Sequence, residues 1–587
     1  MSMVDLAEHR ERARPSGRAR SRHHRIGRTL RVLAVCVPAA LLVGAQPAAA
    51  FPQEQSQGSS FAAVAIDQWV GQASALYGFN INFQVSSSVL GLNAFANNNA
   101  DFVASDIPYS SGQADSTPNQ PYQYMPDVAG ALAFMYNLQG VNGQPIKNLN
   151  LNPQTVGAIF TGKIGFWDDP SIKAVNPPGV ALNLPHTPIV PVYREDASGE
   201  NYLLSDYLLH QDGPAFVAYQ NAVADSQPGK PLATWPLSQT SPPSGYPNYT
   251  SLTGQNGSDG VANYVSALSS EGSIGYLETA YAIEHNFPVA SLINASGNAV
   301  QPTSVNDATA LENAVLFADL TQDLTNVYAN PLPNAYPVSA YSYFVAPCNP
   351  SLAAAQKFTC AGPQGTSPFS ADRGAELGQF INFLACAGQE KMALLGYSPL
   401  PPNLVQEDFN AIGRLNGGQQ PPAPTAANCH NPYVDGEVVL PGGSGPTINT
   451  SVQDANSVGA QTVTQQQAVT KASQGVTGKG SGPGTTGGSA TSTNDGGGNG
   501  STAPGSTHSG TTRSESAANT AALGNPYERF NALEQVATDA KGPSAGLVAL
   551  WCVILAVILI GPLFGRLLWR RRSRTAENVA VLSGETL

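Results

Sequence analysis

Charge is scarce in this 587-residue chain: Asp, Glu, Lys and Arg together make up 12% of it. Basic residues cluster at the two ends. Between Phe51 and Gly565, 14 basic residues stand against 35 acidic ones, a net of −21. Such a surface repels DNA and RNA, whose binding rests on neutralising phosphates, so no nucleic-acid partner is expected. It offers no long-range attraction to a small anion either, so anion binding would have to come from local geometry. Cysteine is also sparse, six in all. No CxxC pair occurs and His430 stands alone beside Cys429, which argues against a zinc site. The globular-looking part has no G-x-S-x-G elbow and no HExxH, the usual marks of serine hydrolases and zinc peptidases. One G-x-S-x-G match, at 542–546, abuts an apolar run and follows no strand. No internal repeat is present.

The ends carry what the middle lacks. Nine arginines lie between positions 10 and 31, followed by an apolar run at 32–43 and small residues ending in Ala48-Ala49-Ala50. This order describes a secretory signal peptide over residues 1–50. Its apolar core is shorter than the roughly 20 residues that span a bilayer. There is no twin-arginine pair, and Val35 before Cys36 argues against a lipid-attachment box. At the other end no charged residue occurs between Lys541 and Arg566, so one transmembrane helix is expected at 545–565. Arg566, Arg570, Arg571, Arg572 and Arg574 would keep the tail, 566–587, in the cytoplasm, with the N-terminal bulk outside. Residues 416–544 are rich in Gly, Ser, Thr, Gln and Pro and read as an extracellular tether. The start of that tether would be attached if Cys429 is bridged. An exported part with four cysteines suggests two disulfides, and sequence neighbours give Cys348 with Cys360 and Cys386 with Cys429.

Residues from about 55 to 417 alternate in pattern. Helical apolar spacing marks 62–76, and short apolar runs mark strands at 81–85, 102–104, 129–138, 187–193, 274–277 and 343–346. Asn152-Pro153 opens a helix, with Asn as cap and Pro in the first turn. Further helices are expected through Leu203 and Leu209, at 257–268 and at 375–384. The alternation predicts an α/β fold with mostly parallel sheets. About 360 residues are too many for one core, so two lobes are expected.

Small hydroxyl-bearing turns sit between these strands and helices: Gly58-Ser59-Ser60-Phe61, Ser86-Ser87-Ser88, Ser105-Asp106, and the run from Arg194 to Gly199. Helix N-termini present unpaired N–H groups and partial positive charge to an anion. Serines add hydroxyl donors, and Arg194 adds a fork of N–H groups matched to an oxyanion. In parallel α/β sheets such turns gather at the carboxyl ends of the strands, where ligands bind. Taken singly, each turn is also a good helix cap.

Their joint pattern resembles the PstS-type phosphate-binding proteins of phosphate ABC transporters. Phe83-Gln84-Val85-Ser86-Ser87-Ser88 through Asp101-Phe102-Val103-Ala104-Ser105-Asp106 is similar to that family's Ser-rich turn and following strand end. Ile159-Phe160-Thr161-Gly162-Lys163-Ile164 with Trp167-Asp168-Asp169, Arg194 to Gly199, Gly257-Ser258-Asp259-Gly260-Val261 and Ile274-Gly275-Tyr276-Leu277-Glu278 resemble later family segments, in family order. The resemblance covers about 58–415. It implies a two-lobed periplasmic-binding-protein-like clamshell of type II. One lobe would be 55–127 plus 292–415, the other 128–291, with a hinge strand near 128–131. It implies inorganic phosphate as ligand, an ABC permease as partner, no cofactor, no metal and no catalysis.

Carried over residue by residue, the anion contacts would be Ser60, Phe61 through its N–H, Ser88, Asp106, Arg194, Ser198, Gly199 and Glu200, with Asp196 orienting Arg194. Asp106 would accept a hydrogen bond from a protonated phosphate. Sulfate at neutral pH brings no such proton, and an unmet buried acceptor costs ~1–3 kcal/mol. Three positions depart from the family pattern. Val89 follows the second Ser turn in place of a small residue. Ala197 replaces a glycine. Glu200 stands where the family often has a ligand-binding threonine, and it is expected to point to solvent in the first helical turn, leaving only its N–H for the ligand. Two other readings stay open: a surface sensor or interaction protein with this fold, and a hydrolase using His186, His210 or His285.

Overall fold

The computed structural model describes residues 53–453 apart from Pro368 and Ser444. The expected signal peptide, the tether beyond 453, the membrane helix and the cytoplasmic tail lie outside the described residues. Among the described residues no helix is long and apolar enough to cross a membrane.

One eight-stranded sheet organises the molecule. Its strands are β1 (Glu54–Gly58), β2 (Ile81–Val85), β3 (Phe102–Ser105), β4 (Tyr122–Tyr136), β5 (Val190–Arg194), β6 (Thr253–Gln255), β7 (Ser273–Glu278) and β8 (Ser339–Pro347). They lie in the order β2-β1-β3-β8-β4-β7-β5-β6. β1 pairs in parallel with β2 and β3, and β5 in parallel with β6 and β7. The contacts of β8 with β3 and β4, and of β4 with β7, are antiparallel. The sheet is therefore mixed rather than mostly parallel.

The departure comes from two long strands. β4 has 15 residues, all buried, so its apolar run has no solvent face to interrupt it. Through residues 122–131 it pairs with β8, and through 132–136 it pairs with β7. It thus runs through both halves of the sheet and changes partner between Ala131 and Leu132. A bulge at Asp127, where the register shifts opposite Ser342 and Tyr343, bends it just before that point.

Local sequence explains the flanking helices. α1 (Ala63–Tyr77) stops at Gly78, whose φ of 75° closes a left-handed C-cap. The helix Pro153–Phe160 starts at Asn152, whose side chain accepts from Thr155 N–H while the Thr155 side chain accepts from Asn152 N–H, a reciprocal cap. Both expected disulfides form, Cys348–Cys360 and Cys386–Cys429. The second carries the ordered chain past the expected end of the domain at 415. Asn431 is buried and donates to the carbonyls of Ala385 and Leu400, and Thr447–Asn449 pairs in parallel with Val315–Phe317. Residues 416–453, placed at the start of the tether by composition, pack on the domain because a bridge and a strand hold them there.

Candidate functional site

Every expected turn lies at the carboxyl end of a parallel strand. Ser59, Ser60 and Phe61 follow β1 and lead into α1. Ser87 caps α2 (Ser88–Ala96), accepting from Leu90 N–H at 3.3 Å. Asp106 follows β3. Arg194 ends β5, and Ser198 caps α3 (Gly199–Gln211), accepting from Asn201 N–H at 3.2 Å. Gly257 and Ser258 open α4 (Gly257–Ser266) after β6. The loop after β5 is held from behind, since the Asn201 amide donates to the carbonyls of Arg194, Asp196 and Ala233. The loop after β1 is held likewise: Tyr281 donates to Ser60 O and Tyr397 to Phe61 O, each at 2.7 Å.

Arg194 is fully buried and is the centre of one cluster. Its Nε and Nη2 make a two-pronged contact with Asp196, at 2.8 and 2.5 Å, and Asp196 also accepts from Gly257 N–H. Burial works against an ionised Asp196, but the Arg194 hydrogen bonds and charge prevail and hold its carboxyl below the usual range. The remaining prong, Nη1, reaches Glu200 Oε1 at 2.5 Å, Ser60 Oγ at 2.9 Å and Ser258 Oγ at 3.1 Å. Ser258 and Ser60 donate to the same Glu200 oxygen, at 2.7 and 2.9 Å. One oxygen therefore collects a guanidinium and two hydroxyls from three separate turns.

Asp106 forms a second cluster. It accepts from Ser88 Oγ at 2.9 Å and from Ser59 Oγ, and Ser59 Oγ in turn accepts from Phe61 N–H. The start of α3 abuts it. A Cβ on Gly199 would lie 2.0 Å from Asp106 Oδ2 and 2.8 Å from Ser88 Oγ, so only glycine lets the helix N-terminus come this close. Burial, and then the charge of Glu200, push the Asp106 carboxyl up to about 7, against the hydrogen bonds of Ser59 and Ser88 and the charge of Arg194.

The structure thus brings Ser60, Arg194, Asp196 and Glu200 together, and Ser88, Asp106 and Gly199 together. Ser198 is the cap beside them, its N–H given to Ala233 O. The Phe61 N–H is given to Ser59. Glu200 does not point to solvent. It is 1% exposed, because the third prong of a buried guanidinium needs an acceptor and the first turn of α3 faces it. The sequence reading places Ser59 in a donor turn but leaves it, like Ser258, out of the contact set, although Ser258 opens a helix after a strand and obeys the same rule as the other turns.

The fold is of the periplasmic-binding-protein class, α/β with a curled sheet. A model described as a PBP superfamily domain matches residues 44–387. A phosphate-binding protein PstS of Xylella fastidiosa is 30% identical over 352 residues, covering 60% of this chain and 82% of that protein. A PstS of Methanocaldococcus jannaschii is 26% identical over 371 residues, covering 62% and 86%. A solved phosphate-binding protein from Stenotrophomonas maltophilia is similar at 19% identity and a TM-score of 0.41, covering 67% of this chain and all of that one. The chain belongs to the PBP superfamily and, within it, to the PstS-type phosphate-binding proteins.

Proposed function

We propose that this chain captures inorganic phosphate between the two halves of its sheet and delivers it to an ABC permease. The observation that carries the reading is the convergence of Arg194 Nη1, Ser60 Oγ and Ser258 Oγ on a single anionic oxygen, with Asp106 on the opposite wall. These donors come from turns on both sides of β4, so a ligand seated on them would tie the two halves together, as hinge-closing binders do. Ser60, Phe61, Ser88, Asp106, Arg194, Ser198, Gly199 and, through its N–H alone, Glu200 are the contacts assigned to that ligand, with 55–127 plus 292–415 and 128–291 as the lobes. Residues 1–50 would export the chain and 545–565 anchor it, leaving the domain outside the cell on its tether.

Asp106 gives the reading its selectivity. As a carboxylate it accepts the proton of hydrogen phosphate and repels sulfate. Titrating the chain with phosphate, sulfate and arsenate tests this. Phosphate is expected to bind and to survive excess sulfate at pH 8, with the preference narrowing below pH 7 as Asp106 takes up its own proton. Equal affinity for sulfate at pH 8 would end the reading. His186 and His210 are paired with Asp168 and Asp206 rather than with a serine of the site, which favours binding over hydrolysis. One observation favours the second reading, a sensor or interaction protein: Glu200 already holds the donors that phosphate needs.

A further inference from the structure

We propose that Glu200 is a tethered competitor of the anion, so that capture requires its carboxylate to give way. The inference rests on the phosphate reading above. The Arg194 prong left over by Asp196, the Ser60 hydroxyl and the Ser258 hydroxyl all converge on Glu200 Oε1. Each of these donors can serve an incoming oxygen only by leaving Glu200. The charges enforce the exchange. One buried guanidinium pairs with both Asp196 and Glu200, and the Asp106 carboxyl of the adjoining cluster also feels its charge. A phosphate added beside an unmoved Glu200 would be a further buried negative charge without its own cation, which a protein interior tolerates poorly.

A side chain fixed to α3 acts at a high effective concentration, of order millimolar or above, and so weakens every anion that must replace it. On this proposal the displaced carboxylate would swing toward a neighbouring cavity, which Glu200 does not line as it stands. A cavity of about 630 Å³ adjoins the site, sharing Asp106 as part of its wall and lined further by Tyr202, Leu203 and Lys230. Tyr202 and Leu203 follow Glu200 on α3, and Lys230 offers a cation. A threonine at position 200, the residue type common in the family, would add a donor where Glu200 removes three. Glu200 is on this view a specificity-determining residue that sets how weakly phosphate is held.

Calorimetric titration of the full-length chain in detergent with inorganic phosphate, for the wild type, Glu200→Thr and Glu200→Gln, decides the matter. Thermal melts verify folding. Both variants are expected to bind phosphate at least tenfold more tightly than the wild type, although a merely structural role for Glu200 would weaken binding. Unchanged or weaker binding by folded variants, with the wild type still binding phosphate, overturns this inference and leaves the phosphate reading standing. No binding by any of the three overturns both. Should loss of the carboxylate unfold the variants, refolding by millimolar phosphate supports the inference, and failure to refold overturns it.

Discussion

Two carboxylates face each other across the site, and their surroundings differ. Asp106 comes from the β3 side, is 2% exposed, and is bonded by the neutral hydroxyls of Ser59 and Ser88. Glu200 comes from the β5 side, is 1% exposed, and is bonded by two hydroxyls and a guanidinium at 2.5 Å. Burial is the same, but the cation is on one side only. On the Asp106 side the carboxyl is pushed up to about 7, which on the proposed reading suits it to share a proton with phosphate. On the Glu200 side the carboxylate is an ion-pair partner, which makes it a stand-in for a ligand.

The largest test of this contrast removes the cation. Arg194→Ala leaves Glu200 buried, and Asp196 partly buried, without their partner, and breaking a buried ion pair typically costs ~3–5 kcal/mol. Urea melts should show a loss of that order, and phosphate binding should vanish. Adding Glu200→Gln to Arg194→Ala should return part of the stability, because one uncompensated charge goes with it. If the two losses simply add, Glu200 and Arg194 are not coupled and the contrast fails.

The next test touches the other wall. Between the usual 3.8 and about 7 the folded chain holds a proton on Asp106 that the unfolded chain has released. Its contribution to stability is therefore present below pH 3.8 and lost as pH rises through about 7. Asp106→Asn should accordingly gain on the wild type at pH 8 and lose that advantage near pH 4 when melts are compared. It should also admit sulfate, since an amide N–H donates where the carboxylate only accepts, narrowing phosphate-over-sulfate selectivity by roughly 10-fold or more at pH 8. A stability difference that does not change with pH would place the Asp106 proton elsewhere.

Much of this was legible in the chain itself, and what was not has physical reasons. β2, β3 and β7 are short apolar runs, and α1 follows its apolar spacing to within a residue at each end. β1 was missed because Glu-Gln-Ser-Gln-Gly carries no apolar signal. Its Glu54 is buried through an ion pair with Arg373 at 2.9 Å, and a partner 319 residues away leaves no local mark. The expectation of mostly parallel pairing holds in the outer strands and fails in the middle, because β4 and β8 are long strands that run antiparallel to their neighbours, and no periodicity encodes direction. The serine turns were legible as cap chemistry. The inward turn of Glu200 was not, because the helix dipole favours an acid there whether it faces water or Arg194. Choosing between the two needs the end of β5 to be seen against the start of α3.

Ser258→Ala refines the contrast with a smaller effect. It removes one neutral donor from the Glu200 side and leaves the guanidinium and Ser60 in place. A hydrogen bond of this kind is worth ~1 kcal/mol, so phosphate affinity should fall only several-fold in titration. A loss as large as that of Arg194→Ala would mean that hydroxyls, not the cation, hold the anion.

The smallest effect is expected at the outer rim, where the same acid–base pairing meets water. On α3, nearly three turns beyond Glu200, the His210 ring contacts the Asp206 carbonyl at 2.9 Å and its carboxylate at 3.4 Å. Tyr328 donates to Asp206 at 2.7 Å and Thr325 meets the ring at 3.3 Å. The Asp206 hydrogen bond raises His210 to about 9, against partial burial. A raised imidazole gives stability that is full below pH 6.5 and is lost as pH climbs through about 9. Solvent around this half-exposed pair keeps the effect under about 1 kcal/mol. Wild-type melts should therefore drift downward by that small amount relative to His210→Gln between pH 7 and pH 9.5. A larger drift would show the rim, rather than the buried Arg194–Glu200 contact, to be what fastens α3 in place.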